Sequence, residues 1–346
     1  MKDDNVLDEW EEKDQAELDK KSARKMVWRT RLSIGFTVIR TLLLIFLIYI
    51  VYMIPVSIYY DMSGKKAEFD RLITTLVETR YSGFEVHESH GTNAEINALL
   101  TQSTTLKLYR SVGEWDVVIG EVTAQKHLIG KIGFEFNFNE KYLNTQDKMF
   151  NFAIAPDLLG KDSASSNGKE GNPKLWAQFN KIGDGHVAQI HFSAKKGMTP
   201  REMMNLLNPY DLKVLQMPVY GGEIKEYDIS HSRAGQFTFV NALLLRPQAK
   251  YDEKNRLSFS SYYLHHDSIG QSIDQFYKDI EWLIENGSYN GKDIDRKRLN
   301  YLRENGMKVY GATVTGPVRE IEKLQSEELL HQFYLGGIEV WNWDEN

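Results

Sequence analysis

Cysteine is missing from all 346 residues. That absence excludes disulfides, thiol catalysis, cysteine-ligated zinc and a lipid-modified cysteine anchor together. An exported domain without disulfides fits a bacterium whose exported proteins do not depend on them. Several catalytic signatures are missing too. Gly-x-Ser-x-Gly, a P-loop and Gly-x-Gly-x-x-Gly do not occur, and no Ser-x-x-Lys stands in a convincing setting. Histidine is absent before His87, and the closest groupings are His87-Glu88-Ser89-His90 and His265-His266. A zinc hydrolase needs His-Glu-x-x-His on one helix face, and His87 and His90 are one residue too close for that. His186 and His191 lie five apart on a predicted strand and so face opposite sides. No catalytic residue, metal site or cofactor is expected. Trp176, Trp282, Trp341 and Trp343 could line a ligand groove, but core or edge packing is the preferred reading.

Charge is absent from one long stretch. Thr41 to Tyr60 (TLLLIFLIYIVYMIPVSIYY) contains no ionisable acid or base of the Asp, Glu, Lys, Arg or His type. As a helix, about 20 residues at about 1.5 Å each span roughly 30 Å, the thickness of a bilayer's hydrocarbon core. The apolar pattern begins earlier, from Leu32, so the span could start near Ile34 with Arg40 snorkelling. Placing it at 41–60 puts Arg40 at the headgroups instead and needs no such device. Pro55 falls in the last turns, where a lost hydrogen bond matters least. The run is too long and too deep in the chain for a cleaved signal peptide. Residues 21–40 carry six basic residues and no acid, while 61–80 carry four basic residues mixed with four acids. This balance favours a cytoplasmic N-terminus. Trp28, Tyr59 and Tyr60 suit headgroup anchors.

The remaining charge is uneven. Nine basic and nine acidic residues cancel within the first 40, so the net charge of −6 lies beyond the span. That acidity argues against nucleic acid as a partner there. The tail, acidic over 1–19 and basic over 20–31, has few apolar residues. Alone it should be disordered or a marginal helix. It reads either as a segment that folds on a cytoplasmic partner or as a solvated topogenic tail.

The fold class expected is α+β: one N-terminal transmembrane helix, then a large extracytoplasmic domain of mixed helices and strands. The divisions are a tail (1–33), a transmembrane region (34–60), a membrane-proximal α+β segment (61–159), a linker or long loop (160–173) and a C-terminal α+β domain (174–346). An amphipathic helix is predicted over Ser63–Arg80, with Phe69, Leu72, Ile73, Leu76 and Val77 on one face. Asn93–Leu100 reads as a short helix. Glu114–Val122 and Ile132–Phe138 read as strands. Beyond the linker the pattern gives a strand at His186–Ala194 and a helix opened by the capping box Thr199-Pro200-Arg201-Glu202. Strands follow at Leu212–Tyr220, Gln236–Leu245 and Leu257–Leu264, then helices at Ile269–Asn286 and Ile294–Asn305. The last elements are a strand at Lys308–Thr313, a helix at Val318–Phe333 and a strand at Ile338–Trp343. Glycines 221–222 and 336–337 are expected in turns. Thr199–Tyr220 and Ile294–Thr315 form a faint helix–turn–strand repeat and should share one sheet.

The stretch from Trp28 through the span to Val86, together with LWAQFNKI, VAQIHFSAKKGMTPREMMNLL, DLKVLQMPVYGGE and MKVYGATVTGPVREI, resembles the sigma factor regulators of Gram-positive bacteria. The order of these segments around one span carries the likeness. The resemblance implies a single-span anti-sigma factor that sequesters an extracytoplasmic-function sigma factor and responds to envelope stress sensed outside. Sigma-factor contacts would then fall in the tail, with Leu7, Trp10 and Leu18 as candidate anchors. The chain lacks the His-x-x-x-Cys-x-x-Cys zinc motif of better-known anti-sigma factors, and its tail has room for only one or two helices. A second membrane protein is therefore a candidate partner beside the sigma factor and the membrane. The alternative is a membrane-anchored ligand-binding or assembly module with a purely topogenic tail.

Overall fold

A computed structural model describes residues 4–86, 92–139, 150–160 and 173–343; the side chains of 4–18 and 173 are outside the described set. The chain divides into two compact units, Met1–Tyr59 and Tyr60–Asn346.

The first unit is almost entirely α1 (Asp4–Met62), a helix of 59 residues that contains Pro55. Of the two states expected for the tail, helix is the one present. Its Glu, Lys, Ala and Leu are good helix formers. Inside the apolar part the hydroxyls do not go unsatisfied. Thr37 Oγ1 donates to the Ser33 carbonyl and Thr41 Oγ1 to the Thr37 carbonyl, each at 2.9 Å.

The second unit opens with α2 (Lys65–Glu78), β1 (Glu85–Val86), β2 (Glu95–Ile96), β3 (Gln102–Val112), β4 (Trp115–Lys126) and β5 (Gly133–Phe138). Next come α3 (Pro156–Leu159), α4 (Pro173–Phe179), β6 (His186–Met198), α5 (Pro200–Leu207) and β7 (Lys213–Tyr220). Five short strands follow: β8 (Ser232–Ala234), β9 (Phe237–Phe239), β10 (Leu243–Leu245), β11 (Ala249–Tyr251) and β12 (Leu257–Ser260). The remaining elements are α6 (Ile269–Asn286), α7 (Lys292–Asn305), β13 (Lys308–Pro317), α8 (Val318–Lys323) and β14 (Leu330–Val340).

Two antiparallel sheets organise these elements. One has the order β1-β3-β4-β5, with β2 also on β3; the other runs β10-β7-β13-β6-β14. β6 and β13 are central in the second sheet and buried on both faces. Hence Ala188, Ile190, Phe192 and Ala194 are inward as expected, but so are Val187, Gln189, His191 and Ser193. The faint repeat corresponds to α5–β7 and α7–β13, whose strands are antiparallel neighbours. One hydrophobic core joins α2, both sheets and α6–α8. The segments on either side of 161–172 thus share a core, while 161–172 themselves are outside the described residues.

The capping box is present: Thr199 Oγ1 accepts from the Glu202 amide at 3.2 Å, and Glu202 Oε2 accepts from the Thr199 amide at 2.7 Å. Those bonds hold the Glu202 carboxyl below its usual range. Other expectations need correction. Asn93–Leu100 is a short strand and a turn, because Asn97 Oδ1 accepts from the Leu99 and Thr101 amides and offers the backbone an alternative to helix. β3, which local pattern did not single out, fills the centre of the first sheet. The helix expected over Val318–Phe333 stops at Lys323, and Leu330 onward pairs with the edge of β6 instead. Gly336 and Gly337 lie inside that strand rather than in a turn. At Gly336 a Cβ would come within 2.4 Å of Gln189 Oε1. The strand expected over Gln236–Leu245 is two strands, and Leu257–Leu264 ends at Ser260.

Candidate functional site

Two places carry functional chemistry, one in each unit. In α1, Leu42 through Ile48 are all more than half exposed, and none of the apolar window is buried. A core helix of a soluble protein would bury one face, so this surface requires an apolar surrounding. Among the described residues α1 holds the one helix long and apolar enough to cross a membrane. Just before it, Arg24, Lys25, Trp28, Arg29 and Leu32 are exposed at helical spacing, a cationic band with an aromatic within it. Residues 7, 10 and 18 lie on α1, but the side chains of Leu7, Trp10 and Leu18 are outside the described set.

In the second unit a cavity of about 440 Å³ lies between α2, β1, the β3–β4 hairpin and the β11–β12 hairpin. Helical spacing places Asp70, Thr74 and Glu78 on one wall, at i, i+4 and i+8 of α2. The opposite hairpin is pressed close to the start of α2. Gly64 has φ of 71°, and a Cβ there would stand 2.8 Å from the Lys254 carbonyl oxygen. Arg71 Nη1 donates to Asn255 Oδ1 at 2.8 Å and fastens the same hairpin.

The carboxyl groups of the cavity fall into two settings. Asp70 and Glu78 are fully engaged. Asp70 accepts from the Asn93 and Ala94 amides at 2.7 and 3.1 Å and from Thr104 Oγ1. Burial pushes its pKa up, and these bonds oppose the rise. Glu78 accepts from the Val86 amide at 2.9 Å and pairs with Arg246, whose Nη2 also binds Asp279 Oδ2 at 2.9 Å. Burial by itself would lower the Arg246 pKa; the Asp279 and Glu78 carboxylates outweigh it and hold the guanidinium charged. Burial raises Glu78, only partly countered by Arg246.

Glu85 and Asp116 are different. Ser111 Oγ lies 2.9 Å from Glu85 Oε1 and 3.5 Å from Asp116 Oδ1, bridging the two. Among the described residues neither carboxyl makes an ion pair. Burial, then the neighbouring Glu78 and Asp116 charges, push Glu85 up to about 8 against the Ser111 hydrogen bond. Thr74, 3% exposed, lines the same cavity, and its Oγ1 has no hydrogen-bond partner.

The residues singled out from sequence are mostly elsewhere. Trp176 packs on Phe333 at 5.1 Å, Trp282 lies 3.8 Å below the Arg71 guanidinium, and Trp343 Nε1 donates to Asp211 at 2.6 Å. Trp341 is 43% exposed at an edge, and none of the four lines the cavity. His191 is buried between Ser82 and Thr313, and burial lowers its pKa to about 3. His87 and His90 are outside the described residues. Among the described residues no group of three or more histidine or acidic side chains is placed to hold a metal. Sequence reasoning missed the cavity. The available signal was the polar line Asp70, Thr74, Glu78 beside the apolar stripe of α2.

Residues 179–337 match the family model described as Sigma factor regulator C-terminal. That match spans β6 through most of β14 and contains three of the four C-terminal segments that suggested the likeness. The resemblance to sigma factor regulators is therefore shown, and it is carried by the C-terminal domain. The chain is also similar to a protein of Bacillus subtilis (strain 168) described as probable anti-sigma-M factor YhdL, with 21% identity over 293 residues, 83% of this chain and 74% of the relative. No solved structure matches the chain. With its single span-length helix, the protein is membrane-anchored.

Proposed function

We propose that this protein is a single-span membrane anti-sigma factor. Its N-terminal tail, residues 1–33, lies in the cytoplasm and sequesters an extracytoplasmic-function sigma factor. The domain from residue 61 onward lies outside and sets the state of the tail when it meets an envelope signal. The protein acts by binding and not by catalysis. One observation carries this reading: a sigma factor regulator domain at 179–337 follows a helix whose whole apolar surface is exposed. The basic band ahead of the span supports the cytoplasmic placement of the tail. Leu7, Trp10 and Leu18 anchor the sigma factor, and ordering of so short a segment costs about 2–5 kcal/mol of the gross interaction. A second membrane protein would offset part of that cost.

The test is co-purification from membranes of the intact protein beside a version lacking residues 2–20. A sigma factor retained only by the intact protein is the expected result. Absence of any sigma factor from both, after cross-linking, would overturn the reading and leave an anchored ligand-binding module.

A further inference from the structure

We propose that the cavity beside α2 is a binding site for an organic cation, a primary ammonium group carried on an apolar body, held between Glu85, Asp116 and Thr74. As the signal of a sigma factor regulator this rests on the function proposed above; as a binding site it stands on the geometry alone.

Charge balance gives the sign of the ligand. Arg246 is already matched by Glu78 and Asp279, so it offers nothing to an anion. Asp70 is saturated by three donors. What remains is Glu85 and Asp116, two carboxyls bridged by one serine with no ion pair among the described residues. A carboxyl in a semi-enclosed apolar setting stays protonated or takes up a cation. Thr74 supplies the independent sign of a missing partner. Its buried Oγ1 makes no hydrogen bond, although buried hydroxyls almost always do. An ammonium has three N–H donors and no acceptor, which suits two carboxylates and one hydroxyl oxygen. The other walls are apolar: Val86, Leu257, Phe259 and Tyr262, with Phe259 and Tyr262 49% and 68% exposed at the rim. They would cover the body of the ligand. The volume is in the range of small-molecule pockets.

Binding should carry a proton signature. At neutral pH Glu85 is protonated, so the entering ammonium displaces that proton to solvent. The groups facing Glu85 are Glu78 of α2, Tyr109 and Ser111 of β3, Asp116 of β4 and Arg246 after β10. Affinity for the amine therefore rises as pH goes from about 7 to about 8.5, below the range near about 10 where an amine loses its own charge.

The experiment is calorimetric titration of the full-length protein in neutral detergent with phenethylamine, 2-phenylethanol and phenylacetate. The amine should bind at least about tenfold tighter than either control, a difference of about 1.4 kcal/mol. Its affinity should rise with pH, and the alcohol's should not. Asp116→Asn, on an exposed strand position, should weaken amine binding about tenfold without changing the melting curve, and Glu85→Gln should weaken it further. Equal binding of amine and alcohol, no binding of the amine, or undiminished binding by Asp116→Asn would each overturn the proposal. A sigma factor that co-purifies normally from a protein failing this titration would refute the ligand and leave the proposed function standing.

Discussion

The two units of this chain solve the same problem in opposite ways. In the unit beyond Tyr60, apolar side chains from α2, two sheets and three helices meet in one core, and buried cations such as Arg246 and Arg298 have carboxylate partners. In α1 the apolar side chains meet nothing: Leu43 and Ile48 are each 61% exposed. Both contain apolar residues in helices, so hydrophobicity alone does not distinguish them. Periodicity does. α2 is apolar on one stripe and polar on the other face, and it folds onto protein; the run from Thr41 to Tyr60 is apolar all round, and it calls for lipid.

The comparison is broken most severely by removing a buried charge from the folded unit. Arg246→Ala strands Glu78 and Asp279 and should cost about 3–5 kcal/mol in urea unfolding. Adding Glu78→Gln should restore part of that loss, since one orphan charge goes with it. In α1 a charge must be costly in membrane insertion instead. Leu47→Arg should cost about 2.5–3.5 kcal/mol of insertion and raise the carbonate-extractable fraction. The unfolding midpoint of the domain beyond Tyr60 should not change. A fall in that midpoint would mean that Leu47 packs against protein.

A smaller effect separates the two carboxyl settings within the domain. Glu85 in the fold keeps its proton up to about pH 8, whereas in the unfolded chain it ionises near 4.5. Between those values the folded state holds an extra proton, so its stability falls as pH rises through the window. The slope from this one group is at most about 1.4 kcal/mol per pH unit. Glu78 and Asp70, raised by burial as well, add in the same direction, while Asp116 lies beside Glu85. Glu85→Gln should flatten the dependence in unfolding titrations. A steeper dependence would show that Glu85 is ionised in the fold. The smallest effect belongs to the tail. Deleting residues 2–20 should leave the domain's unfolding midpoint unchanged, because the tail contributes nothing to that core.

The sequence made some of this legible and hid the rest for a physical reason. The span, α2, the capping box at Thr199 and α6 were readable because each is decided by neighbours within two turns. The bounds of α6, Ile269–Asn286, match the expected ones. The fates of Leu330–Phe333 and of Gly336–Gly337 were not readable, since they depend on the distant edge of β6. The cavity was hidden for the same reason: Glu78, Glu85, Asp116 and Arg246 come from four elements and meet only after both sheets have formed. Individually each is an ordinary charged residue. The sigma factor regulator likeness was legible because it rests on ordered segments, and the family match covers most of them.

The most direct test of the account is at position 10. A photo-cross-linking amino acid placed at Trp10 in the otherwise intact protein, activated in living cells, would capture whatever the tail touches. The account predicts a sigma factor in the cross-linked product, identified by mass spectrometry. Capture of envelope or extracellular proteins alone would contradict both the orientation and the function.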